Sequence, residues 1–318
     1  MSVYTVVSPD VCVAWLKRYD VGQFKSLEPI AAGIENTNYF LTTDKNALVL
    51  TIYERVEQDR LAFSLAMMQV LSAKGVLCPI PQVDCENALF SQLLAKPAGL
   101  VSRLKGKSEI SLNQSLVAQA AENLAHMHLA AETWPSHFPN PRGQDWRDET
   151  AESIQTFLTS EQYDLLDCVL NNQIKNEQNY LDTLPQGAIH ADYFHDNVLF
   201  EEGRLTGVID FGFAGCDAYA YDLAIAVNDW CWSRETHQFD KSLYKAFMTS
   251  YANIRPLRPE ENKVWFWLLE RAALRFWLSR LYDLYLPREG ALVHAHDPAH
   301  FERILRYHRE GDILNRMR

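Results

Sequence analysis

The sequence contains no CxxC pair; its six cysteines (Cys12, Cys78, Cys85, Cys168, Cys216 and Cys231) stand singly along 318 residues. That spacing fits reduced thiols better than a disulfide framework or a zinc site. Nowhere do about 18 apolar residues run together, so no membrane span is expected. The opening MSVYTVVSPDVCVAWLKRYD has no basic stretch leading into an apolar core and does not read as a secretory signal. The expected location is therefore the cytoplasm. Basic clusters are missing too: 30 Lys and Arg face 41 Asp and Glu, a formal net charge of −11. A nucleic-acid partner, which needs a basic face, is not expected. No low-complexity tract or internal repeat is present.

What is there is ample apolar material. At 47% hydrophobic residues and this length, two domains or one two-lobed unit are expected. Ser8 and Pro9 have the chemistry of an N-cap and a first helical residue, and Val11, Trp15, Leu16 and Tyr19 follow at helical spacing. LEPIAAG, TNYFLTT and ALVLTIY then read as strands separated by turn residues, an antiparallel meander. QDRLAFSLAMMQVLSAKG reads as a helix ending at Gly75, and VLCPIPQV, ALFSQLL and PAGLVSRLKG supply further strands. Beyond Gly106 the periodicity becomes helical, apart from a β excursion over 187–211. The division falls between 1–103, a small sheet-rich lobe, and 104–318, a larger helical lobe. The fold class is thus α+β and bilobal.

Within the β excursion, IHADYFHDNVLF packs His190, Asp192, His195, Asp196 and Asn197 between apolar runs, and VIDFGFAGCD places Asp210 at the end of the next strand. Asn197 and Asp210 flank a tight hairpin, with Asp192 on the loop leading into it. Neighbouring strands lie roughly 5 Å apart, so these groups converge on one small volume. An amide oxygen and a carboxylate are hard ligands suited to Mg²⁺, which is usually held by one or two protein groups plus substrate phosphates. Asp192 is left to orient a hydroxyl nucleophile and accept its proton. One Asp or Asn alone in a loop is more often a turn former; the ordered set points to phosphoryl transfer.

HADYFHDN followed by VIDFG resembles the catalytic and metal-binding loops of the aminoglycoside phosphotransferase and protein-kinase-like superfamily. GIENTNYFL, LVLTIYE, GAIHADYFHDNVLF, LTGVIDFGFAGCDAYAYDLAIAVNDWCW and RAALRFWLSRLYD are similar to its homoserine kinase branch, nearly end to end. The resemblance implies the protein-kinase-like fold, ATP and Mg²⁺, and L-homoserine as acceptor, yielding O-phospho-L-homoserine and ADP in threonine biosynthesis. The sequence does not give the oligomeric state; a monomer is the expectation. It implies Asp192 as catalytic base, Asn197 and Asp210 as metal ligands, and His190 as structural support. Asp222 tends to brace the catalytic segment in this family. The turn around Gly33, with Asn36, Thr37 and Asn38, would cover the phosphates, and adenine would sit near Ala98–Arg103.

One departure is plain. Thr51 stands where the family usually places a strand lysine on the nucleotide phosphates, and the following helix offers no obvious Glu partner for one. Lys45, Arg55 and Arg103 are the replacement cations to consider. An amino-acid acceptor needs a carboxylate partner, for which Arg275 is the candidate. It also needs an ammonium partner: Asp217, Asp222 or Asn228. Trp230, with Trp232, Trp265 and Trp277, would wall the pocket, although most aromatics in a helix of this spacing belong to the core. His294, His296 and His300 read as structural, and His126 and His128 as packing or surface residues. Two other readings stay open: another small-hydroxyl kinase on the same scaffold, acting on choline, ethanolamine, a sugar or an aminoglycoside, and a catalytically silent nucleotide-binding module.

Overall fold

The computed structural model describes residues 4–31, 36–135, 137–287 and 296–316. Helix α1 (Pro9–Leu16) starts where the side chain of Ser8 accepts the Val11 N–H and Pro9 takes the first position. Strands β1 (Phe24–Ile30), β2 (Thr37–Thr43) and β3 (Ala47–Ile52) follow as a meander, then helix α2 (Gln58–Ala73), short strands β4 (Pro81–Gln82) and β5 (Ser91–Leu93), and β6 (Lys96–Ser102). They form one antiparallel sheet in the order β1-β2-β3-β6-β4, with β5 paired to β6.

Period-two alternation decides the two faces of this sheet. Tyr39, Leu41, Leu48, Leu50, Ile52, Ala98 and Leu100 pack against Cys12, Trp15 and Leu16 of α1 in a core of their own. Asn38, Phe40, Val49, Thr51, Gly99 and Val101 alternate with them. That second face looks toward α2 and the helices: Val101 packs against the large core, and a Cβ at Gly99 would lie 3.3 Å from the Leu89 carbonyl oxygen and 3.6 Å from Leu65 of α2.

The chain leaves the sheet through Gly106, which has φ +87°; a Cβ there would fall 2.2 Å from the Phe200 carbonyl oxygen. Lys107 and Phe200 then exchange two backbone hydrogen bonds of 3.0 and 2.8 Å, tying the linker to the segment around Phe200. Helices α3 (Gln114–Glu132), α4 (Gln144–Ile154) and α5 (Ser160–Tyr180) precede strands β7 (Gln186–Ile189), β8 (Val198–Glu201), β9 (Arg204–Val208) and β10 (Gly215–Ala218). β8 and β9 form the expected hairpin, turning at Glu202 and Gly203, both at positive φ. β10, absent from the sequence reading, pairs antiparallel with β7. Its Gly-Cys-Asp-Ala sequence has no strand signal, and only the pairing makes it a strand. Helices α6 (Tyr219–Trp230), α7 (Lys241–Ile254), α8 (Pro259–Lys263), α9 (Trp265–Tyr285) and α10 (Pro298–Arg316) complete the molecule. Every residue of α6 is buried. Among the described residues no helix is long and apolar enough to cross a membrane.

Candidate active site

The loop after β7 is built on one buried carboxylate. Asp222, at the start of α6, accepts the N–H groups of His190 (2.9 Å) and Ala191 (2.8 Å). Ala191 has φ +61°, a conformation that costs a non-glycine residue roughly 1–2 kcal/mol and that the Asp222 bond offsets. His128 of α3 also meets Asp222 (Nε2 to Oδ2, 3.0 Å), and its Nδ1 lies 2.7 Å from the Tyr251 hydroxyl. Arg255 donates to that hydroxyl at 3.1 Å and pairs with buried Glu261. Burial holds His128 below the usual imidazole range despite the carboxylate beside it. A neutral ring then donates from Nε2 and accepts from Tyr251 at Nδ1. Four segments thus converge on the two bonds that set the loop before Asp192.

His190 connects the two halves of the site. Its Nδ1 accepts the Asp192 N–H (3.2 Å) and its Nε2 donates to the Ile209 carbonyl (3.0 Å). Both partners have fixed roles, so the ring is the neutral Nε2–H tautomer, in keeping with a pKa lowered by burial. Ile209 N–H in turn donates to the Asn197 carbonyl at 2.8 Å. Asp192, Asn197 and the residue before Asp210 are therefore held by one short hydrogen-bonded circuit.

Asn197 donates from Nδ2 to the Asp192 carbonyl (2.9 Å) and to Asp192 Oδ2 (3.1 Å). With its nitrogen so committed, its oxygen is the atom left to face a cation. Asp210 sits at φ +63°, ψ +66°, a left-handed conformation that Asp tolerates, and one carboxylate oxygen accepts the Gly212 N–H at 3.3 Å. Its exposed carboxylate and the Asn197 oxygen are a donor set that fits a divalent ion shared with phosphates. Burial pushes the Asp192 carboxyl up to about 7; Asp210 and Asp196 add to the rise, while Arg275 and Asn197 oppose it. Arg275 Nη1 lies 3.8 Å from Asp192 Oδ1.

Support comes from below as well. His195 gives both its backbone N–H (2.7 Å) and Nδ1 (2.6 Å) to Asp229. Burial alone would lower this imidazole, but the Asp229 carboxylate holds it above its ordinary value. On the other side, α2 grips the segment after Asp210: Arg60 donates to the Gly212 carbonyl and Ser64 to that of Phe211. Arg60 is the cation that α2 brings to this loop, and the sequence reading passed over it. Lys45 instead pairs with Asp20 at the β2–β3 turn, at the opposite end of β2 from residue 37. Arg55 is exposed, and Arg103 lies 3.7 Å above the Phe40 ring on the inward face of the sheet. On the same face Thr51 donates to Asn38 (2.8 Å).

Several expected binding roles need correction. Asp217 cannot face an ammonium group: two hydrogen bonds from Arg271 (2.8 and 2.9 Å) and one from Asn140 consume it. Asp222 is spent on the loop. Asn228 donates to the Leu269 carbonyl and meets His308 at 2.7 Å. Trp230 is fully buried, its indole N–H on the Tyr193 carbonyl, so it underpins the loop and lines no pocket. Trp232, Trp265 and Trp277 are likewise core. The Thr37 hydroxyl lies on the α1 side of the sheet, accepting the Tyr4 and Thr5 N–H groups and donating to Glu54. Asn36 keeps a buried side-chain oxygen without a hydrogen-bond partner among the described residues. Gly33 and His294 lie outside the described residues. His128, called a packing or surface residue, is fully buried and bonded to Asp222.

The phosphotransferase enzyme family matches residues 26–262. The chain belongs to that family. A homoserine kinase of Polaromonas naphthalenivorans is 42% identical over 308 residues, covering 96% of this chain and 97% of that one. A homoserine kinase of Methylobacillus flagellatus is 45% identical over 309 residues, covering 96% and 95%. Among solved structures, an amicoumacin kinase in complex with AMP-PNP and Ca²⁺ superimposes with a TM-score of 0.71 at 16% identity, covering 96% of this chain and 93% of that one. The fold is thus that of the aminoglycoside phosphotransferase-like kinases.

Proposed function

We propose that this phosphotransferase moves the γ-phosphoryl group of ATP to the side-chain hydroxyl of L-homoserine, giving O-phospho-L-homoserine and ADP, a step of threonine biosynthesis. The observation that carries the reading is the likeness to homoserine kinases over 96% of the chain, in a protein that ties Asp192, Asn197 and Ile209, the residue before Asp210, into one circuit. Asp192 accepts a hydrogen bond from the acceptor hydroxyl, orients its oxygen toward the γ-phosphorus, and takes up the proton as the new P–O bond forms and the bond to ADP breaks. Asn197 and Asp210 are the residues to hold Mg²⁺. When bound, the ion neutralises phosphate charge and draws the nucleotide to the hairpin. Burial of Asp192 favours its proton uptake, and the pinned loop removes the cost of ordering the base for each turnover.

Residues 1–103 form the nucleotide lobe and 104–318 the acceptor lobe. Asn36, Asn38, Thr51 and Arg103 contribute to the nucleotide side, and Arg275 pairs with the acceptor carboxylate. Six free thiols fit a reducing cytoplasm. The test is ADP release with L-homoserine, choline, ethanolamine and an aminoglycoside as rival acceptors, with the product identified by phosphorus NMR. Saturable turnover confined to L-homoserine supports the reading; preference for any rival, or transfer to none, sinks it.

A further inference from the structure

With Asp217, Asp222 and Asn228 committed elsewhere, the positive end of an amino-acid acceptor needs another counterpart. A cavity of about 350 Å³ opens between α4 and the second half of α9, walled by Arg142, Trp146 and Glu149 on one side and Ser279, Tyr282 and Asp283 on the other. Its wall residue Arg142 shares the Phe213 ring with Arg275, the arginine beside Asp192. Arg275 lies one turn before Ser279 on the same stripe of α9, since residues four apart are neighbours on a helix surface. The Arg275 guanidinium sits 4.9 Å from the Phe213 ring, and that of Arg142 sits 5.2 Å from the same ring and 4.6 Å from Trp146. Phe213 belongs to the segment that follows Asp210. The charge order along this path is a base at Asp192, then two guanidinium groups, then two carboxylates.

A hydroxyamino acid presents its groups in a matching sense: a hydroxyl at one end, a carboxylate and an ammonium group on the far carbon. Resting on the homoserine reading, we infer that this cavity seats the α-carbon end of the acceptor. Asp283 and Glu149 receive the ammonium group, Arg142 joins Arg275 on the carboxylate, and Trp146 with Tyr282 closes the sides. Carboxylate-to-ammonium hydrogen bonds are charge-assisted and give discrimination against an acceptor lacking the amine.

The experiment compares L-homoserine with its deaminated analogue, γ-hydroxybutyrate, in the wild type, Glu149→Gln, Asp283→Asn and the double variant. Each single change should raise KM for L-homoserine roughly ten- to a hundredfold while KM for ATP holds, because a hydrogen bond to a charged group is worth that much. The double variant should lose most of the preference for L-homoserine over γ-hydroxybutyrate, and Asp283→Glu should recover part of it. Glu152→Gln, an exposed α4 charge outside the cavity, controls for net charge. Thermal melting checks folding, and if the double variant does not fold, exposed Glu149→Gln alone decides. An unchanged KM, or an undiminished preference for the amine, overturns the assignment. Absence of transfer to L-homoserine by the wild type would instead overturn the reading it rests on.

Discussion

At the scale of single residues, the site separates groups that act from groups that hold. Asp192 touches the reacting hydroxyl, and its isosteric replacement isolates its proton-accepting role. Asp192→Asn should lower kcat by about 10²- to 10⁴-fold, the usual contribution of a positioned base, while fluorescence titration finds ATP bound as before. A kcat within threefold of wild type would remove Asp192 from that role. Asp210 is exposed and makes one long bond of 3.3 Å to its own turn, so its carboxylate contributes little to the fold. Asp210→Ala should therefore leave the melting temperature without ligand nearly unchanged but shift the Mg²⁺ dependence of turnover upward by an order of magnitude or more. Normal metal dependence in that variant would contradict the ligand assignment. These residues were legible because their spacing is local: five positions from Asp192 to Asn197, one hairpin to Asp210. The buried chain Arg255–Tyr251–His128–Asp222 was not. Its members come from α3, α6 and the end of α7, and no sequence window brings His128 beside a carboxylate 94 positions away.

Between elements, the same property that hid contacts also explains rigidity. α6 is buried on every side, so it has no polar stripe from which a pocket face could be read, and Trp230 was assigned to a wall it does not form. α10 docks onto this helix through a buried polar contact, His308 Nε2 to Asn228 Oδ1 at 2.7 Å. Because the Asn228 amide nitrogen is spent on Leu269, its oxygen accepts and His308 donates as the neutral Nε2–H tautomer. Burial lowers this imidazole to about 3, far below the ordinary value of 6.5. In the unfolded chain His308 takes up its proton first. Folding stability at this position is thus full above about pH 6.5 and falls as the pH drops from 6.5 toward 3. His308→Gln keeps a donor and removes the titration. Its urea-unfolding free energy should be lower than wild type at pH 7, yet lose visibly less between pH 7 and 4.5. Parallel pH slopes for the two proteins would refute the linkage.

Across the whole molecule, the boundary read near residue 103 marks a change of secondary structure but not a clean division of packing. The α1 side of the sheet closes its own small core, whereas α2 contributes Leu61, Phe63, Leu65, Met67, Met68 and Leu71 to the large core of the helical part. Arg60 and Ser64 of the same helix hold the carbonyls just beyond Asp210. Fully burying a large apolar side chain stabilises by about 1.5–3 kcal/mol, so six of them represent on the order of 10 kcal/mol. That is comparable with the entire net stability of a typical domain, about 5–15 kcal/mol. A fragment comprising 104–318 therefore loses cover it cannot replace. Expressed alone, it should bind a hydrophobic dye, lack sharp near-ultraviolet dichroism and show no cooperative melt, while the full chain unfolds with both parts coupled. Supplying residues 1–103 in trans should restore the melt if α2 can dock. A fragment that melts cooperatively by itself would show that the helical part carries its own closed core, and that α2 is an attachment to it.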